Sequence, residues 1–142
     1  MLVRDIMTQH VQVVDPDEAL DHAARIMREL DIGSIPVCDR GRLVGLLTDR
    51  DIAVRAVAAG RDPKRTAVAE VMTRPVFCCA PEHAVESVAL VMRARQIRRI
   101  PVIDQDEHVV GMVALADIAL EARNDRLLGA VVESVSTPHP GR

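Results

Sequence analysis

The stretch Ile35-Pro36-Val37-Cys38-Asp39-Arg40-Gly41-Arg42-Leu43-Val44-Gly45-Leu46-Leu47-Thr48-Asp49-Arg50-Asp51 decides the fold, because the chain writes it twice. The second copy reads Ile100-Pro101-Val102-Ile103, a polar connector from Asp104 to Glu107, and then Val109-Val110-Gly111-Met112-Val113-Ala114-Leu115-Ala116-Asp117. In each copy a short apolar run, a turn rich in polar residues and a second apolar run describe a β-hairpin. The carboxylate that closes each copy stands where a helix begins.

Working outward, the repetition extends over most of the chain. A shift of 65 positions puts Val3 on Val68, Met7-Thr8 on Met72-Thr73, Pro16 on Pro81, Met27-Arg28 on Met92-Arg93 and Ile32 on Ile97. One inserted residue near Asp106 moves the shift to 66, which aligns Val44-Gly45 with Val110-Gly111. Self-similarity at a fixed period marks duplicated supersecondary units. Val11 to Val14 and Val76 to Cys79 read as strands. Asp15, Pro16 and Glu18 predict a helix start, with Asp15 as N-cap, Pro16 in the first helical position and Glu18 as capping-box partner. Leu20, Ala24, Met27 and Leu30 then follow at helical spacing, as do Val85, Val88 and Met92. Second helices are expected from about Asp49 and about Leu115, the first ending near Gly60.

The expected class is therefore α/β (α+β), with the order strand, helix, strand, strand, helix in each repeat. Each repeat should give a three-stranded sheet and two helices, the sheets facing one another about a pseudo-twofold axis, since either half alone has little core. The boundaries read as 1–64 for the first repeat, 65–123 for the second, and 124–142 for a C-terminal helix and flexible tail.

Composition narrows the function. The chain has 142 residues, 49% of them hydrophobic, but 1% aromatic, with a single Phe. Stacking platforms for single-stranded nucleic acid are thus missing, and a net charge of −3 gives no field that draws phosphate backbones. Cys38, Cys78 and Cys79 show neither zinc spacing nor a disulfide framework and read as thiols of a cytoplasmic protein. The charged N-terminus and the lack of a ~20-residue apolar run predict no leader and no membrane span. His10, His22, His83, His108 and His139 are scattered, and no phosphate loop, metal cluster or activated nucleophile is apparent, so no enzyme is expected. Cys78 and Cys79 read as packed strand thiols.

Both halves resemble the CBS (cystathionine-β-synthase) domain, pairs of which form a Bateman module. The resemblance spans about Val3 to Ala122 and rests on Asp5-Ile6-Met7-Thr8 with Glu70-Val71-Met72-Thr73, on the Ile-Pro-Val strands, and on the Gly45–Asp51 and Gly111–Asp117 segments. It implies a non-catalytic regulatory module that senses energy or ligand through an adenine nucleotide (AMP, ADP or ATP), pairs into a homodimer and signals to a protein target. The other implied reading is an interaction or dimerisation module with a vestigial pocket. Residue by residue, Asp51 would hold ribose, a carboxylate near a first helical turn being placed to accept both hydroxyls, and the Thr48 hydroxyl would bond a ribose or phosphate oxygen; the competing role of both is helix capping. Arg98 and Arg99 would grip phosphates, for which a guanidinium fork is suited; the competing role is decoration of a solvated helix end. Phe77 would lean over the base or pack in the core. Thr8, Val11, Ile32 and Leu46 would complete the base pocket. The mate of this site keeps Arg50 and Asp117 but has Ala114 for the threonine and Gly33 and Ser34 for the arginines, which implies weaker binding. Ile52, Val54, Val57, Ile118 and Leu120 are the expected dimer face, extended by the C-terminal helix.

Overall fold

The computed structural model describes residues 1–122; the helix expected from Asn124 to Val135 lies outside them. In chain order the elements are α1 (Val3–Ile6), α2 (Leu20–Leu30), β1 (Ser34–Asp39), β2 (Arg42–Thr48), α3 (Asp49–Asp51) running into a π-helix (Ile52–Val57), a 3₁₀ turn (Val68–Glu70), α4 (Val85–Arg95), β3 (Arg99–Ile103), β4 (Val109–Ala114) and α5 (Leu115–Ala122).

These elements gather into two compact units that do not follow the sequence repeats. Among the described residues, one holds Gln12–Val76 with Asp106–Val109; the other holds Met1–Val11, Phe77–Gln105 and residues 110–122. We refer to them as the Asp51 unit and the Asp117 unit. Each takes its body from one repeat and a short arm from the start of the other.

Backbone hydrogen bonds show how an arm docks. In the Asp51 unit, Leu20 N–H donates to Thr66 O (2.8 Å), Val68 N–H to Glu18 O (2.9 Å) and Ala69 N–H to Pro16 O (3.0 Å). In the Asp117 unit the equivalent bonds run from Val85 N–H to Met1 O (3.0 Å), from Val3 N–H to His83 O (2.9 Å) and from Arg4 N–H to Pro81 O (3.0 Å). This pairing corrects the expected helix start. A helix from Pro16 would turn Leu20 N–H back to Pro16 O, but that carbonyl is taken by Ala69 and Leu20 N–H goes to Thr66. The helix therefore begins at Leu20, with Ala19 extended as N-cap. The capping signals at Asp15 to Glu18 close a separate turn, in which Asp15 N–H donates to Glu18 Oε1 (3.2 Å) and Asp17 N–H to Asp15 Oδ1 (2.9 Å).

Each unit holds a two-stranded antiparallel sheet, β1 with β2 and β3 with β4. The expected third strands shrink to single parallel bridges, Val14 to Val37 and Cys79 to Val102, and the arms add single antiparallel bridges at Leu46–Thr73 and Thr8–Met112. In the β1–β2 turn, Arg40 and Gly41 both take positive φ (52° and 85°), as a two-residue hairpin loop with the right twist requires. The His108 ring lies over Gly41, at 3.2 Å from where a Cβ would stand.

The core of the Asp51 unit is built on Leu20, Met27, Ile35, Val37, Leu47 and Val68. The Asp117 unit repeats it with Val85, Met92, Ile100, Val102, Val113 and Val3. Each fully buried aliphatic side chain contributes about 1.5–3 kcal/mol, and in both cores one of them (Val68, Val3) comes from the arm. Two positions assigned to a dimer face belong here instead: Ile118 is fully buried and Ile52 packs on the Asp51-unit core. Val54, Val57 and Leu120 remain exposed, as do Leu90 and Val91.

Candidate functional site

The strand-to-helix junction of the Asp51 unit is a reciprocal cap. Asp51 N–H donates to Thr48 Oγ1 and Thr48 N–H donates to Asp51 Oδ2, both at 3.0 Å. The Asp51 carboxylate is buried, at 6% exposure, and a buried charge requires partners. The arm supplies one: Thr73 Oγ1 donates to Oδ1 (2.9 Å) and Oδ2 (3.0 Å), and the Arg55 guanidinium stands 3.8 Å from Oδ1. Helix capping, the competing role named for Thr48 and Asp51, is thus realised. Thr73 was visible in the sequence only as half of a repeated Met-Thr marker. Its role depends on the arm's docking, which spacing does not disclose.

The corresponding junction of the Asp117 unit has the carboxylate without the threonine. Ala114 N–H donates to Asp117 Oδ2 at 3.0 Å. Beside it opens a cavity of about 250 Å³ lined by Arg98, Arg99, Ala114, Leu115, Ala116 and Ala119. Both arginines are exposed, and Leu115 N–H donates to Arg98 O at 2.8 Å, fixing the start of β3 against the start of α5. Two guanidiniums beside the positive end of a helix form a place for an anion. The structure therefore places Arg98 and Arg99 with the Ala114–Asp117 junction in one unit, and Thr48 and Asp51 in the other.

The remaining site residues also divide. Leu46 pairs with Thr73 through two backbone bonds (3.0 and 2.8 Å), and Ile32 packs on the same core; both lie in the Asp51 unit, as does Arg50, exposed on α3. Thr8 and Val11 lie in the Asp117 unit, where Thr8 exchanges backbone bonds with Met112 (2.8 and 3.0 Å). Phe77 is in that unit too, 43% exposed, with the Arg95 guanidinium 4.5 Å above its ring centroid. The ring face is thus engaged in a cation–π contact rather than packed in the core.

A second cavity of the Asp117 unit, about 310 Å³, was not foreseen. It lies between α4, the segment that precedes α4, and β3, and is lined by Cys78, Cys79, His83, Ser87, Val91 and Ile100, among others. Cys78 is exposed, correcting its reading as a packed thiol, while Cys79 is buried. Burial, with a smaller contribution from charge on Cys78, pushes the Cys79 thiol up to about 11, so Cys79 is an un-ionised core thiol near neutral pH. His83 Nδ1 accepts the Ala80 N–H (3.1 Å). Among the described residues no group of three or more His, Cys, Asp or Glu is placed to hold a metal ion, and no helix is long and apolar enough to cross a membrane.

Comparison with known proteins bears on this geometry. The CBS domain family model matches residues 3–57 and 68–124. The CBS domain-containing protein YhcV of Bacillus subtilis is 40% identical over 134 residues, 94% of each chain. Hypoxic response protein 1 of Mycobacterium tuberculosis is 42% identical over 117 residues, 82% of this chain and 81% of its own. Among solved structures, Hypoxic Response Protein I with two coordinated zinc ions superposes with a TM-score of 0.77 at 40% identity, over 84% of this chain and 98% of the other. A CBS domain pair in complex with 5′-methylthioadenosine and S-adenosyl-L-methionine gives 0.77 at 31% identity, over 87% and 97%.

Proposed function

The chain belongs to the CBS domain family, and on that premise we propose that it is a regulatory module that binds an adenine nucleotide and performs no chemistry. The observation that carries this reading is the cavity in which Arg98 and Arg99 stand together beside the start of α5. Paired guanidiniums at the positive end of a helix suit phosphoryl oxygens. A similar CBS pair solved with two adenosyl compounds supports adenosine as the common part of the ligand. Asp117 caps the adjoining helix and is the carboxylate in this unit for ribose hydroxyls, as Asp51 is in the other. The exposed apolar side chains Val54, Val57, Leu90, Val91 and Leu120 support pairing of two chains, through which a bound nucleotide shifts an equilibrium between arrangements.

A thermal-shift series with AMP, ADP and ATP tests the reading. A ligand present at 100 times its Kd should stabilise the fold by about 2.7 kcal/mol, and Arg98→Ala with Arg99→Ala should abolish the shift. Absence of any shift with wild-type protein at millimolar nucleotide overturns it, and light scattering that reports a monomer overturns the pairing.

A further inference from the structure

The cavity beside α4 is rimmed by residues that the duplication does not require. Its floor is formed by the buried Cys79, Val88 and Ile100, and its rim carries the exposed Cys78, His83 and Ser87. The shift of 65 positions sets Val13 in the place of Cys78, Glu18 in that of His83 and His22 in that of Ser87. The Asp51 unit therefore completes the same turn and an equally long helix without a thiol there, and its His22 and Glu18 side chains pair at 3.4 Å. The fold itself asks for neither Cys78 nor an imidazole on this rim. The backbone contact of His83 is shared: Ala80 N–H donates to its Nδ1 (3.1 Å) as Asp15 N–H donates to Glu18 Oε1 (3.2 Å). With Nδ1 accepting, the neutral ring carries its proton on Nε2, and that N–H is a donor.

We propose that this cavity is a covalent modification site, in which Cys78 adds to a small, apolar α,β-unsaturated carbonyl compound. At about 310 Å³ the space lies at the small end of ligand pockets, and its aliphatic floor favours an uncharged molecule. Cys79 is not the nucleophile: burial pushes its thiol up to about 11, and only a thiolate attacks. Cys78 is open to solvent and passes its proton to water. The sulfur lone pair then bonds to the β-carbon, the carbon–carbon π pair moves towards the carbonyl oxygen, and the α-carbon takes a proton from water. The product is a thioether, and no oxidant enters. His83 offers Nε2–H to the oxygen on which charge gathers during the attack, as a preorganised donor does in carbonyl chemistry. The addition consumes the thiol and turns nothing over, so it modifies the module and is not catalysis by it. The cavity shares no lining residue with that of Arg98 and Arg99, so electrophile and nucleotide occupy different places.

The full chain, reduced and in the assembly it forms in solution, is treated at neutral pH with cinnamaldehyde and followed by intact-mass and peptide mass spectrometry. The expected result is one adduct per chain, on Cys78, carrying the full mass of the aldehyde. Its rate should saturate with aldehyde concentration and exceed that of N-acetylcysteine by roughly tenfold or more. Acrylamide, which has the double bond without the apolar body, should show no such advantage. Cys78→Val, which copies Val13, should take up no aldehyde. His83→Glu, which copies Glu18 and keeps an acceptor for Ala80 N–H, should lower the cinnamaldehyde rate relative to the iodoacetamide rate by roughly tenfold; the ratio cancels any change in thiolate content. A rate linear in aldehyde and equal to that of N-acetylcysteine makes Cys78 an ordinary surface thiol and overturns the proposal. So does an adduct on Cys38 or Cys79, or none at all. An unchanged rate ratio in His83→Glu overturns the role given to His83.

Discussion

Thr73 donates its hydroxyl to both carboxylate oxygens of Asp51, at 2.9 and 3.0 Å, and so ties an arm from the start of the second repeat to the helix cap of the first. A hydrogen bond to a buried charge contributes about 1.5–3 kcal/mol. Thr73→Val, which keeps the shape and removes the donor, should lower stability by about that amount in urea unfolding. Thr73→Ser should recover most of it. If valine and serine behave alike, the hydroxyl is not what holds the arm.

The glycines before the junctions differ in what crowds them. A Cβ on Gly111 would stand 2.9 Å from the backbone oxygen of Thr8 and 2.6 Å from Met7 Sδ, whereas the nearest atoms to one on Gly45 all belong to the Met72 side chain. A thioether can change rotamer, but a bonded carbonyl on a docked arm cannot retreat without breaking the Thr8–Met112 bridge. Gly111→Ala should therefore cost more than Gly45→Ala, with both in the range of about 1–3 kcal/mol for overpacking. Melting temperatures of the two variants check the order.

Cys79 predicts an alkaline weakening. Its folded pKa of about 11 lies above the ordinary 9.0, so the unfolded chain releases this proton more readily. The stabilising difference is fully present below pH 9 and is lost as pH rises towards 11, amounting at most to about 2–3 kcal/mol. Cys79→Val, which copies its counterpart Val14 in the other core, should flatten that loss. Denaturation of the reduced protein at pH 8 and pH 10.5 is the measurement, and an unchanged slope in the variant would assign the weakening to other groups.

Phe77 and Arg95 offer a probe of the ligand reading. With the guanidinium 4.5 Å above the ring, Phe77→Leu should cost about 0.5–1 kcal/mol of stability, as exposed cation–π pairs do. AMP affinity should stay within about twofold. A tenfold loss of affinity would instead place the ring against the base.

The sequence by itself determined what local chemistry governs. Arg40-Gly41 could turn only as a tight hairpin, the Thr48-x-x-Asp51 spacing could close a cap, the Ile-Pro-Val runs were too apolar to lie outside a core, and the duplication announced two like halves. The tertiary structure decided where backbone groups find distant partners. Pro16 carried every local sign of a first helical residue, yet its carbonyl receives Ala69 N–H, and the helix waits until Leu20. The grouping of Arg98 and Arg99 with Ala114 and Ala119 was equally hidden, because a repeat shows which residues are equivalent and not which equivalents meet. The physical reason is the same in both cases. A local signal fixes a residue's own dihedral preference within a few kcal/mol, and a docked arm that satisfies several backbone groups at once outweighs it.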